Sequence, residues 1–306
     1  MPLSNYTADN FLNYMAGATP IPTLPSVYMA LFTGVGTDVG SGFTEVTGGS
    51  YARVQVAGAL TLNGAFTTSS GTLTLASTAP AWLTALGPNG YGVNVYDITV
   101  GAQIGTVSSV SGTTVTLQSA AAHAGSGASD SIAFSAFSPG SGTAPSSAVN
   151  GAAVYYVTAS GAGWGTIIAF GFYDATTSGN LLGWDFLGSS AWSPWTSTSV
   201  GSGNGAVFTQ HVHGYSNGTP VVVTAEYGGT LPTATQESLT SYVVNYAANV
   251  TTDTYTLSTS SSAPTSANAV WTSSTGDGMA RSVSQQSVPS GVLTYFSGGT
   301  LTMTVA

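Results

Sequence analysis

The chain has 306 residues, of which 4 % are charged and 42 % hydrophobic, with a formal net charge of −9 at pH 7. Its only two cations are Arg53 and Arg281, so it offers no basic patch for phosphates, which argues against a nucleic-acid partner. It has no cysteine, hence no disulfide framework and no thiolate metal site.

Ordinary soluble domains carry roughly 25 % charged residues. Here Ser, Thr, Gly and Asn take their place, a surface that suits a protein fixed in an assembly. With 6 Trp, 15 Tyr and 11 Phe to bury, the chain is expected to fold, and its length predicts two or three compact units.

At the N-terminus, Met1-Pro2-Leu3-Ser4-Asn5 lacks the positive region and long apolar stretch of a signal peptide, and no later apolar run approaches about 18 residues. The expectation is a chain neither exported by that route nor inserted in a membrane. Thr7-Ala8-Asp9-Asn10 predicts a helix start with Thr7 as cap, Phe11, Leu12 and Met15 as an apolar face and Gly17 as the stop. Pro20, Pro22 and Pro25 forbid continuation, and residues 27–32 read as the first core strand.

From there the text is strand and turn. Residues 104–117 predict a hairpin with Ser111-Gly112 as its tight turn. The final run, 300–305, places Leu301, Met303 and Val305 on one face and three threonines on the other. Ser/Gly/Thr-rich stretches at 67–70, 138–144 and 197–205 suggest boundaries. No fixed-period repeat points to a solenoid or propeller.

The stretch Val27-Tyr28-Met29-Ala30-Leu31-Phe32-Thr33, followed by Thr44-Glu45-Val46-Thr47-Gly48-Gly49-Ser50-Tyr51-Ala52-Arg53, resembles a family of phage tail-fibre or virion proteins. The resemblance resumes at Trp164-Gly165-Thr166, runs through Gly171-Phe172-Tyr173-Asp174-Ala175 and residues 179–184, and closes with 288–305. It implies an all-β fold: a split β-sandwich or barrel-like core domain from residues 1–67, 144–196 and 286–306, with a short N-terminal helix. Residues 68–143 and 197–285 stand as two inserted small β domains, the second similar to a module recurring in phage structural proteins. The core is the natural anchor and the insertions face outward.

The implied function is that of a structural protein on the exterior of a bacteriophage virion, a capsid decoration or a tail-fibre component assembled in the host cytoplasm. Its partners would be other virion proteins and further copies of itself, a trimer by analogy with the virion setting. The alternatives are a lectin that holds a host-surface glycan and a glycan-cleaving tailspike; absent repeats and carboxylate clusters disfavour the tailspike. No catalytic residue and no cofactor comes with the resemblance.

For acid–base chemistry the chain has 11 carboxylates and three histidines, scattered through different turns and strands, so no enzyme is expected. His211 and His213 would share a face on a strand and hold a metal with Glu226 or Asp253, but His213-Gly214 reads as a turn, and no metal is expected. His123 reads as an exposed loop residue. Asp97, Asp174 and Asp253 read as turn carboxylates that accept backbone N–H bonds, and Asp277, lying between glycines, is one carboxylate where calcium needs several.

Glu45 and Arg53 form the family's charged pair, an ion pair within or between subunits or a ligand contact. Trp184 reads as core. Trp192 and Trp195 flank a proline in what reads as a loop, where they would pack in a core, cover an intersubunit seam or hold a sugar ring.

Overall fold

The computed structural model describes residues 4–18, 26–36, 41–128, 130–141, 146–188, 190–199, 206–225, 229–234, 243–262, 271–273 and 275–305. Pro20, Pro22 and Pro25, expected to part helix from strand, lie outside them. The N-terminal helix α1 (Asn5–Met15) starts from Ser4, not Thr7. Ser4 is extended and its Oγ accepts the Thr7 N–H at 3.3 Å, so the serine satisfies a first-turn donor before Thr7 is reached. The same hydroxyl bonds to the carbonyl of Leu181, which ties the helix to a strand 177 positions away. Gly17, at φ +70°, follows the helix, while Phe11, Leu12 and Met15 stay exposed.

Strands β1 (Val27–Gly34), β2 (Thr44–Glu45), β3 (Val54–Leu60) and β4 (Thr72–Thr74) precede a short helix, α2 (Ala81–Ala85). Then come β5 (Asn94–Asp97), β6 (Ala102–Ser111), β7 (Thr114–Leu117), β8 (Ile132–Ser135), β9 (Ser146–Val149), β10 (Val154–Thr158), β11 (Gly165–Ile167), β12 (Ala169–Tyr173) and β13 (Leu181–Phe186). Ten strands form one sheet in the order β13-β12-β1-β3-β8-β5-β6-β7-β4, with β2 beside β1. The β6–β7 hairpin pairs Ser111 with Thr114, so its loop is Gly112-Thr113, one residue later than expected. Only Gly112 has a positive φ, +58°, as a turn with glycine first requires.

β1 explains its own apolar text. Met29, Ala30, Leu31 and Phe32 are each fully buried because the sheet is covered on both faces there. Met29 and Leu31 enter the larger core, and Ala30 and Phe32 enter a second cluster on the opposite face. Leu73, Val95, Ile104 and Val115 join the larger core too. Hydrogen bonds and packing therefore run across the boundaries suggested near 67 and 144: β3 pairs with β8, and the Gly151 N–H donates to the Ala136 carbonyl at 2.8 Å.

The following strands are β14 (Ser193–Ser199), β15 (Ala206–Thr209), β16 (Pro220–Thr224), β17 (Thr233–Ala234), β18 (Asn245–Ala248), β19 (Thr254–Ser258), β20 (Trp271–Ser273) and β21 (Gly276–Ser282). Six of them close into a barrel, β14-β15-β19-β18-β16-β21. Its core is Trp195, Phe208, Tyr255, Val221, Val223 and Leu257, with the Phe208 and Tyr255 rings stacked at 5.4 Å. Closure leaves the barrel without the open edges of a flat sheet.

The chain then returns. β22 (Gln286–Val288), β23 (Leu293–Phe296) and β24 (Thr302–Val305) pair with β11, β10 and β9, in two-stranded ladders. Leu301 is buried and Met303 packs partly against the larger core, as their alternation with threonine implied. The barrel leaves and rejoins the rest at one place, where the Ser284 N–H donates to the Leu187 carbonyl at 2.9 Å.

Candidate functional site

Two cations in a chain this long make each one informative. Arg53 follows the turn at Gly48-Gly49-Ser50, and its guanidinium grips Glu45 through both oxygens, Nε to Oε1 at 2.9 Å and Nη2 to Oε2 at 2.7 Å. Nη1 donates to the carbonyls of Ala175 and Ser178 at 2.9 and 2.7 Å, and the guanidinium carbon lies 3.6 Å from the centre of the Tyr173 ring. The Tyr51 hydroxyl donates to Glu45 Oε1 and accepts the Leu31 N–H. Burial pushes the Tyr51 hydroxyl pKa well up. Burial works against the charge on Arg53, yet the Glu45 carboxylate holds its pKa above the ordinary value. The pair lies within one chain and clamps β2, the Gly48-Gly49 turn and the β12–β13 hairpin together.

The second cation missed notice as a site in the sequence. Arg281, on β21 of the barrel, is 5 % exposed and donates from Nη1 to Asp185 Oδ1 at 2.8 Å and from Nη2 to the Gly188 carbonyl at 3.2 Å. Asp185 Oδ1 also accepts the Phe186 N–H at 2.8 Å, and a quarter of that side chain is exposed. Arg281 lies 5.8 Å from the Phe186 ring centre and 5.7 Å from that of Trp192. The scarcity of cations was the signal that pointed to it.

Around this pair lies a cleft of about 570 Å³ between the barrel, the β13 end of the sheet and the C-terminal ladders. It is lined by Asp185, Arg281 and Ser190 together with Phe296, Thr300 and Thr302. Volumes of roughly 300–1,000 Å³ are typical of ligand sites.

The tryptophans divide. Trp195 is on β14, not in a loop, and 2 % exposed inside the barrel, with its ring 4.9 Å from Phe208. Trp184 is core, as expected, and Trp192 is half-buried, edge-on to Phe186 at 6.3 Å. Trp192 neighbours Arg281, which lines the cleft.

The histidines are not brought together as a strand would bring them. β15 ends at Thr209, and Val212 between them has φ +47°, so the segment turns and a shared face is lost. His211 reaches Asp253 Oδ1 at 3.2 Å in the open, while His213 accepts the Tyr215 N–H and packs on Tyr215 and Tyr255. Among the described residues no group of three His, Asp or Glu could hold a metal, and Glu226 lies outside them. His123 is half-buried against Phe66, not an exposed loop residue. Asp97, Asp174, Asp253 and Asp277 each accept a backbone N–H, from Thr99, Asn180, Val212 and Thr230.

A family model described as Podophage GP4 fiber I protein gp80 matches residues 2–86 and 93–192, more than half of the chain. The chain belongs to this family of phage fibre proteins. As a gp80-family fibre protein it is a structural component of a bacteriophage virion, in contact with other virion components. The match runs through most of 68–143 and contains Glu45, Arg53, Asp185 and Trp192, whereas Trp195, Arg281 and the barrel lie beyond it. Comparison with curated proteins and with solved structures gives no match.

Proposed function

We propose that this gp80-family protein is a non-enzymatic fibre component on the virion exterior, attached through its ten-stranded sheet and presenting the barrel outward. One observation carries the reading: the family match stops at residue 192, and the first barrel strand begins at Ser193. What members share is then the part that meets the common particle, and the barrel is what this chain adds. The carboxylates of Asp97, Asp174 and Asp253 support action without turnover, because an oxygen that orders a turn is poorly placed to move a proton to or from a substrate.

Purified full-length protein is expected to bind phage particles that lack it, to co-purify with tails rather than capsids, and to leave host-surface glycans uncut. Reproducible release of sugar fragments, abolished by replacing a single Asp or Glu, overturns the reading in favour of a tailspike.

A further inference from the structure

We propose that Asn63-Gly64 is a self-modification site, where the chain converts its own asparagine to aspartate and isoaspartate without an enzyme. Asparagine followed by glycine is chemically labile, since the glycine nitrogen meets no side chain on its way to the asparagine amide carbon. The nitrogen of Gly64 attacks Cγ of Asn63 and the new C–N bond closes a cyclic imide. The side-chain nitrogen leaves as ammonia, taking the proton that the glycine N–H gives up. Water then opens the ring at either carbonyl. One opening gives aspartate; the other gives isoaspartate, in which the main chain runs through the side-chain carbon.

The fold sorts the sites. Asn-Gly steps fall at 63–64, 89–90, 150–151 and 217–218 among the described residues. Asn150 is 1 % exposed and its amide is fully engaged: Nδ2 donates to the Ala152 and Ser297 carbonyls at 2.9 and 2.8 Å, and Oδ1 accepts the Leu301 N–H at 2.8 Å. Its nucleophile is tied down as well, because the Gly151 N–H donates to the Ala136 carbonyl. At Asn217 the side-chain oxygen accepts the Val250 N–H at 3.1 Å, and the Gly218 N–H donates to the Ala247 carbonyl at 2.8 Å. Asn89 is exposed but held at φ +54° and ψ +46°, in a turn closed by the Tyr91 N–H on the Pro88 carbonyl, with Gly90 packed against Val110. Asn63 and Gly64 are both exposed, and neither the Asn63 side chain nor the Gly64 N–H has a hydrogen bond to another described residue. A Cβ at Gly64 would meet nothing within 4 Å, so this peptide can turn toward the amide without displacing a neighbour. Bridges from Leu62 to Leu75 and from Phe66 to Gly125 hold both sides of the step, and the longer isoaspartyl chain bulges into open space while the core stays in place.

Peptide mapping by mass spectrometry on full-length protein held at mildly acidic and mildly alkaline pH tests this, with the chain unfolded in urea as the reference. Conversion at Asn63 is expected to run at least about tenfold ahead of Asn150 and Asn217, because those react only in the fraction of molecules that has locally opened. It should rise with pH, as the attacking nitrogen must lose its proton, and isoaspartate should be among the products. In urea the lead should vanish. Asn63→Gln lengthens the amide arm, disfavours the ring and should remove the first acidic species seen on isoelectric focusing. Should N63Q disturb folding, Asn63→Ser lacks the amide outright and decides. An Asn63 that stays intact while the unfolded chain converts, equal rates at all the steps of the folded chain, or an acidic species that persists in a folded Asn63 variant overturns the proposal.

Discussion

Arg53 commits four of its five N–H donors to partners in its own chain, two on Glu45 and two on carbonyls of the β12–β13 hairpin. Removing it strands Glu45 and two carbonyls at once, and breaking a buried pair typically costs about 3–5 kcal/mol. Since a quarter of the Glu45 side chain is exposed, Arg53→Ala is expected near the lower end, about 3 kcal/mol, read as a lower urea midpoint. Arg53→Lys keeps the charge but not the planar fork and should recover only part of the loss; full recovery would show that charge alone matters. This pair was legible in the sequence because both members sit in one short motif. The other was not: Arg281 and Asp185 are 96 positions apart, and nothing near either residue names its partner.

At the scale of elements, the Gly48-Gly49 turn makes a sharp test. Both glycines have positive φ, +71° and +55°, so alanine at either pays the backbone strain of that region. A Cβ at Gly48 meets nothing within 4 Å, whereas one at Gly49 lies 2.8 Å from the Ser160 carbonyl oxygen and 2.9 Å from the Trp164 ring, whose N–H donates to the Gly49 carbonyl. Gly48→Ala is expected to cost about 1 kcal/mol and Gly49→Ala clearly more, measured by thermal melts of the two variants. Equal costs would mean that Trp164 moves aside freely.

Strand periodicity was readable where side chains alternate, as at Leu301 and Met303, and failed where a proline intervened. Pro194 suggested a loop around Trp195. It is tolerated because it pairs with Met279 on β21 while β15 begins pairing only at Thr196, so no ladder bond on that side needs its missing N–H.

Across the whole molecule, the barrel is held to the sheet by an apolar seam, Val222 and Val283 against Phe32, Trp184 and Phe186, and by the Arg281–Asp185 pair beside it. Arg281→Met retains volume but removes the polar latch, and it should lower barrel stability while the sheet keeps its own. Calorimetry is expected to show the barrel transition moving down by about 3 °C or more and separating from the other. One unshifted transition would show that the apolar seam suffices.

The all-β class was legible from β-branched and aromatic text punctuated by glycine. The continuity of residues 68–143 with the sheet was not, because a Ser/Gly-rich stretch reads the same whether it joins two domains or turns between two strands of one sheet.

The meeting of Leu187 and Ser284 across one hydrogen bond has a consequence for how such a protein can change. A segment whose ends emerge one strand spacing apart, about 5 Å, imposes no span on its replacement. Any β unit with adjacent termini can be spliced in there as a cassette, provided it also offers apolar side chains to cover Trp184 and Phe186. Within those two conditions the barrel is free to be exchanged by recombination while the ten-stranded sheet stays as it is.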